Sequence, residues 1–262
     1  MSFWGPYLTG GLVILSYMTL LWIASLVLRN SSIVDIFWGA GFVMSAWLYH
    51  GLTPGGLAAR KWLLSTIVTI WGLRLSGYIL WRNWGKPEDF RYAKWREENG
   101  SSWWWRSYLK VFLLQGLLMW VISAPLLGAQ LSATHGHLIW LDIVGLLVWA
   151  TGFFFEAVGD WQLARFKADP ANKGKVLNRG VWRYTRHPNY FGDTTQWWGY
   201  YLIALAGGAW WSIFSPIIMT GLLLKVSGVA LLEKTLKTTK PAYADYVART
   251  SAFIPLPPKK RS

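Results

Sequence analysis

The chain has 262 residues, 53% of them hydrophobic and 15% charged, with a mean hydropathy of +0.27. That is too apolar for an ordinary soluble domain, and several apolar runs approach the roughly 20 residues that a helix needs to cross a bilayer. The lack of cysteine excludes disulfides, thiolate catalysis and cysteine-held metals, while the formal charge of +14, gathered in particular loops, points to membrane topology and anionic ligands, not to nucleic acid.

The N-terminus lacks a basic region and a small-residue cleavage site, so it reads as a first span and not as a removed signal. That span runs from about Tyr7 to Leu28. After a short connector, Arg29 to Ser32, a second covers Ile33 to Tyr49. Gly51 to Arg60 carries Gly and Pro and reads as a loop. A third span covers Trp62 to Trp81, followed by a polar stretch, Arg82 to Arg106, with a short surface helix. Its Trp103-Trp104-Trp105 run looks like an interfacial anchor, in keeping with 21 tryptophans overall. Span four covers Ser107 to Ala129 and span five Leu138 to Trp161. A basic loop, Arg165 to His187, leads to span six, Tyr190 to Leu205. Gly207-Gly208 makes a turn into span seven, Trp211 to Leu232, and a basic tail ends the chain.

Lys and Arg concentrate after spans three, five and seven, and the intervening loops hold only Arg60 and Lys61. The positive-inside rule then places the N-terminus outside and the C-terminus in the cytoplasm. The expected fold is an all-α integral membrane bundle of about seven helices. Without internal repeats, the simplest division is a single domain over 1–262.

Ionisable groups inside a bilayer are costly and mark function. Asp35 sits one turn into span two, where a first-turn acid also satisfies the helix dipole. Arg74, Tyr78 and Arg82 share one face of span three at four-residue spacing, with Asn83 and Lys86 beyond. Glu156 and Asp160 share a face of span five, and two acids there need something polar between them. Asp142, near the outer end of the same span, reads as a solvated acid.

The densest polar stretch is Arg179 to Gly199, RGVWRYTRHPNYFGDTTQWWG. Arg179, Arg183, Arg186 and His187, with Lys167, Lys173 and Lys175 upstream, are donors suited to phosphate. Pro188 can open a helix whose free N–H groups favour anions. Asn189, Tyr190 and Asp193 then enter span six on its first turn, where they could hold an amide or a sugar. A basic lipid-headgroup loop would account for the arginines but not for these three.

The runs RYTRHPNYFGD, GDWQLARFK and YADYVARTSAFIP resemble a family of bacterial membrane proteins related to steroid 5α-reductases, and more distantly the sterol C14-reductases and isoprenylcysteine methyltransferases. The similarity is strong over 152–258 and weaker in SIVDIFWG and the third span. The resemblance implies NADPH bound from the cytoplasmic side at Asp160, Lys167, Arg179, Tyr184, Asn189, Tyr190 and Asp193, joined by Arg74, Tyr78, Asn83, Lys86, Lys225, Glu233, Tyr243 and Tyr246. Glu156, Arg186 and His187 join this set from the reading of the residues. It also implies an acid in the second span and a tyrosine in the third around a substrate ketone. Asp35 matches the acid. The tyrosine position holds Trp71, and a shifted register would let Tyr78 serve.

The expected function is reduction of the carbon–carbon double bond of an α,β-unsaturated ketone, on a steroid or another enone lipid, by a multi-pass monomer among membrane lipids, in the inner membrane if the source is a bacterium. No metal and no nucleic acid is expected. The rivals are a methyltransferase using S-adenosylmethionine, which shares the RHP–Y–G element, and a non-enzymatic lipid-binding protein.

Overall fold

The computed structural model describes residues 2–132, 134–226 and 243–259. Among them the chain is helical, with no strand beyond one isolated bridge. The helices are α1 (Trp4–Leu28), α2 (Ile33–Ile36), α3 (Trp38–Leu52), α4 (Ala58–Asn83), α5 (Phe90–Asn99), α6 (Trp103–Ser107), α7 (Leu114–Ile122), α8 (Ala124–Leu131), α9 (Trp140–Ala168), α10 (Pro188–Ala206), α11 (Phe214–Gly221) and α12 (Tyr243–Arg249). A π-helical turn, Tyr108–Leu113, joins α6 to α7, and another, Leu222–Val226, follows α11.

Among the described residues, four stretches are long and apolar enough to cross a membrane: Trp4–Leu28, Ala58–Asn83, Phe90–Leu131 and Trp140–Ala168. Their outward faces are greasy. Leu12 and Leu20, in the middle of α1, are 66% and 67% exposed, a large loss if water were the solvent. Exposed tryptophans sit near helix ends instead, at Trp4, Trp62, Trp81, Trp140 and Trp161, where the amphipathic indole suits the interface. The protein is a multi-pass membrane protein.

The chain forms two compact units, Met1–Ile139 with Ile203–Ser212, and Trp140–Leu202 with Ile213–Ser262. In the first, α1, α3, α4 and α7–α8 pack together. Tyr7 and Trp120 stack at 4.8 Å, and Trp120 Nε1 donates to the Tyr7 carbonyl at 2.9 Å. Tyr49 reaches Ser123 at 3.0 Å. α3 and α4 close on paired glycines: a Cβ at Gly72 would stand 2.6 Å from the Gly39 carbonyl oxygen. Without a hydrophobic drive between helices in lipid, such small-residue contacts supply the packing.

In the second unit, α9 and α10 are stitched by glycine. A Cβ at Gly152 would lie 2.5 Å from Gly192 O and 2.7 Å from Gln196 N, and one at Gly199 would lie 2.8 Å from Gly145 O. Gly159 meets Pro188 and Asn189 in the same way, at 3.1 and 3.3 Å. The segment after α12 then lies beside the stretch before α10. Arg186 N donates to Ser251 O at 2.9 Å and Leu256 N to Tyr184 O at 3.0 Å.

Several boundaries differ from the sequence reading. The second span is broken at Phe37, which caps α2 and starts α3. Arg60 and Lys61 lie inside α4 and are buried, with Lys61 Nζ donating to Thr53 O at 2.8 Å. Asp142 is not solvated: it is fully buried in the first turn of α9. α9 continues past Trp161 to Ala168, so Arg165 belongs to a helix and not to a loop.

Candidate functional site

Among the described residues, each unit carries a polar cluster that includes expected site residues. In the first unit, Asp35 projects from α2 to α5. Its Oδ2 accepts from Arg91 Nη2 at 2.9 Å and its Oδ1 from the Tyr92 hydroxyl at 2.7 Å. Gln115 of α7 donates to the Tyr92 oxygen at 3.3 Å. Asp89 orients the arginine: it caps α5 by accepting from Arg91 N at 3.0 Å and takes Arg91 Nε at 2.9 Å. Beside it, Glu88 grips Arg96 in a two-pronged pair, 2.9 Å on each side, and accepts from Ser31 N at 2.5 Å. The polar stretch after α4 is therefore folded back onto the connector before α2.

Burial pushes the Asp89 carboxyl up, but the hydrogen bonds and charge of Arg91 outweigh it and hold the group below the usual carboxylate range. A carboxyl depressed in the folded state contributes stability above its unfolded value, about 3.9, and loses it as pH falls through the lower folded value. The thermal stability of the parent is expected to fall on acidification below about pH 4. Asp89→Asn should flatten that acid limb in a pH series of melting curves, and a parallel profile would remove Asp89 from the network. Arg91→Ala is expected to cost about 2 kcal/mol at neutral pH, read by the same melts, because it strips two carboxylates of a charged donor at once.

Tyr92 is 4% exposed. Sequence reasoning missed it because it looked for a tyrosine inside the third span. Trp71 is fully buried in α4, with its ring 5.9 Å from Phe42. Tyr78 lies between two guanidinium groups, Arg74 at 5.9 Å and Arg82 at 5.8 Å from its ring centroid, as the four-residue stripe requires. Asn83 accepts from Arg82 Nε at 3.3 Å, and Lys86 Nζ donates to the Arg82 carbonyl.

In the second unit a cavity of about 180 Å³ is lined by Leu163, Phe166, Lys167, Trp182, Arg186, His187, Asn189, Tyr243 and Tyr246, among others. Asp160, 5% exposed, accepts from Asn189 Nδ2 at 3.3 Å. The Asn189 side-chain oxygen accepts from Tyr190 N at 3.1 Å, which fixes the amide at the mouth of α10. His187 and Tyr190 stack at 5.8 Å. One turn deeper, Glu156 accepts from Gln196 Nε2 at 2.6 Å. The acid pair of α9 thus has an amide from α10 for each member. Arg186 is committed to structure on one side, donating to Thr250 O at 2.5 Å and Val247 O at 3.2 Å. Tyr246 donates to the Trp182 carbonyl, and burial pushes its phenol up, so that it remains a donor at neutral pH.

A family pattern described as a protein of unknown function, DUF1295, matches residues 21–250. The chain belongs to the DUF1295 family. Both polar clusters of this DUF1295 protein fall inside the matched range. An uncharacterized protein of Schizosaccharomyces pombe is 25% identical over 95% of this chain and 80% of its own length. The steroid 5-alpha-reductase DET2 of Arabidopsis thaliana is 34% identical over 62 residues, 23% of each chain. No solved structure gives a significant match.

The remaining sequence candidates are spread around this DUF1295 site. Tyr184 is 43% exposed, on the stretch before α10. Asp193 lies one turn beyond Asn189 on α10. Lys225 is exposed on the second π-helical turn. Arg179 lines a separate, larger cavity. Glu233 lies outside the described residues.

Proposed function

We propose that this protein is a membrane-embedded, NADPH-dependent reductase of the carbon–carbon double bond of an α,β-unsaturated ketone on a steroid or similar lipid. The observation that carries the reading is the pocket where Lys167, His187, Asn189, Tyr243 and Tyr246 surround one cavity, with Asp160 behind the amide. The donor set fits the cofactor: cations for phosphate, a fixed carboxamide and acid for a sugar or a nicotinamide amide, and aromatic rings for flat faces. At about 180 Å³ the cavity is smaller than the roughly 300–1,000 Å³ of a whole small-molecule site, so it suits one ring and its sugar. The local similarity to a steroid 5-alpha-reductase supports the same chemistry.

When bound, NADPH supplies a hydride for the β-carbon of the enone. The chain's own task is to hold the substrate oxygen as negative charge grows on it. Asp35, Arg91 and Tyr92 form a network that pairs an acid, a phenol and a guanidinium, and we assign Tyr92 in place of Trp71 or Tyr78 as the phenol beside that acid. An apolar groove of about 440 Å³ between α1 and α7, lined by Gly11, Ile14, Met18, Gly116, Leu117 and Trp120, suits a hydrophobic substrate arriving from lipid. The seven-span arrangement, the cytoplasmic C-terminus, the monomeric state and a bacterial inner-membrane location belong to this reading.

The test is enone-dependent oxidation of NADPH by the purified protein, with retention of NADPH against S-adenosylmethionine measured in parallel. Retention of S-adenosylmethionine alone would replace the reductase by a methyltransferase. Tyr92→Phe is expected to lower turnover about 100-fold while leaving NADPH affinity within twofold. Unchanged turnover would return the phenol role to another residue.

A further inference from the structure

The cavity that contains Arg179 is not the pocket assigned to the cofactor. It measures about 500 Å³ and is lined by Trp161, Gln162, Arg165, Phe166, Asp169, Asn172, Leu177, Arg179 and Gly180. Only Phe166 and Leu177 are shared with the smaller pocket, so these two side chains form the wall between them. Helical geometry explains the separation. At about 100° per residue, Arg165 points about 140° away from Asp160 around α9, whereas Lys167 points within about 20° of it. Asp160 and Lys167 belong to the inward face, and Trp161 and Arg165 stand four residues apart on the outward one, with Asp169 just past the end of the helix.

The C-terminal end of that outward face has the composition of a membrane edge. α9 has 29 residues, about 43 Å of helix by its rise, and Arg165 and Lys167 occupy its last turn. Trp161 is 57% exposed, in the manner of an interfacial anchor, and Arg165 lies over its ring at 5.6 Å. The acid in the cavity is already engaged: Asp169 accepts from Ala171 N at 2.9 Å and from Asn172 Nδ2 at 3.2 Å. Gln162 accepts from Val181 N at 3.1 Å, which ties the strand of chain carrying Arg179 and Gly180 to α9. Gly180 holds that bend with φ +61°, a conformation that side chains with a Cβ rarely adopt. Two guanidinium-bearing residues thus line one cavity of mixed polar and apolar walls, beside an exposed tryptophan.

We propose that this cavity is a binding site for the phosphodiester headgroup of an anionic phospholipid, held by Arg165 and Arg179, with the acyl chains leaving along the apolar face of α9 past Trp161. The arginine fork matches phosphate oxygens. The site stands independently of the reductase reading, because neither Arg165 nor Arg179 lines the smaller pocket and Arg165 lies on the other face of α9 from Asp160 and Lys167. It also gives the basic loop a use that the cofactor pocket does not: it would hold the loop, and with it the wall made by Phe166 and Leu177, against the membrane.

The experiment is lipid retention by native mass spectrometry after purification in nanodiscs of mixed phosphatidylglycerol and phosphatidylcholine. The parent is expected to retain phosphatidylglycerol in preference to phosphatidylcholine. Arg165→Gln and Arg179→Gln should each reduce that preference about fivefold, and the double variant should lose it. Monodisperse elution of each variant shows that the fold has survived. NADPH affinity of Arg165→Gln should stay within twofold of the parent, while Lys167→Gln should lower NADPH affinity and leave lipid retention alone. Equal retention by parent and double variant would overturn the proposal. So would a loss of NADPH affinity in Arg165→Gln with lipid retention unchanged, which would make the cavity part of the nucleotide site. Displacement of the lipid by millimolar glycerol phosphate would equally overturn it, in favour of a soluble phosphate ligand.

Discussion

Gly152→Val is expected to yield no folded protein, and Gly192→Val the same. The two glycines face each other where α9 meets α10: a Cβ at Gly152 meets the Gly192 carbonyl at 2.5 Å, and a Cβ at Gly192 would meet the Glu156 β-carbon at 2.8 Å. These neighbours are backbone or the root of a side chain, so they cannot swing aside, and the helices must part. Separation would break the Gln196–Glu156 bond at 2.6 Å and the Asn189–Asp160 bond at 3.3 Å. The sum exceeds about 4 kcal/mol, the range in which single substitutions unfold marginal proteins. The control is Gly77→Ala in α4, where an added Cβ meets nothing within 4 Å. Relief of glycine's helix penalty should leave that variant as stable as the parent or about 1 kcal/mol better. Yield and melting temperature in matched detergent decide it. A well-folded Gly152→Val protein would show that α9 and α10 do not pack on their glycines.

That contact also shows what could be read from the chain beforehand. The apolar runs and the tryptophans near their ends announce membrane helices, because length and hydropathy in lipid depend on composition alone. The stripe Arg74–Tyr78–Arg82 follows from helical period, and the structure places both guanidinium groups near the Tyr78 ring. The seven-residue spacing of Gly145, Gly152 and Gly159, matched by Gly192 and Gly199, was equally visible, and it marks the α9–α10 seam. Tyr92 was harder. It lies 57 residues from Asp35 in a polar stretch that reads as surface, and only the fold-back fixed by Glu88 and Asp89 brings it to the acid. Its one signal was the run EDFRY itself, acids followed by a cation and a phenol. Asp142 and Arg60 show the converse error: charges at the ends of apolar runs read as wet, yet the structure buries them.

Asn189→Ala is expected to weaken NADPH binding about 30-fold, by equilibrium dialysis against protein in nanodiscs. The amide stands at the entrance of α10, and its two ends are used differently. The oxygen accepts from Tyr190 N at 3.1 Å and locks the side chain. The nitrogen faces Asp160, which is 5% exposed. Alanine removes the lock and the donor together, and a buried carboxylate that has lost a donor is costly. Asn189→Asp distinguishes shape from charge: it keeps the volume but sets a second acid against Asp160, so it should bind more weakly than alanine. Asp193→Ala, one turn further along the same face, should also lose affinity, by taking away an acceptor for the amide or the sugar. Each variant keeps the glycine seam and the Arg186–Ser251 clasp, so a cooperative melt is expected beside the lost affinity, with Asn189→Ala lowered only in step with its one lost bond to Asp160. Unchanged NADPH affinity in both Asn189→Ala and Asp193→Ala would remove this pocket as the cofactor site. Enone-dependent NADPH oxidation, were it then still present, would place the cofactor, and with it the hydride donor, at another part of the chain.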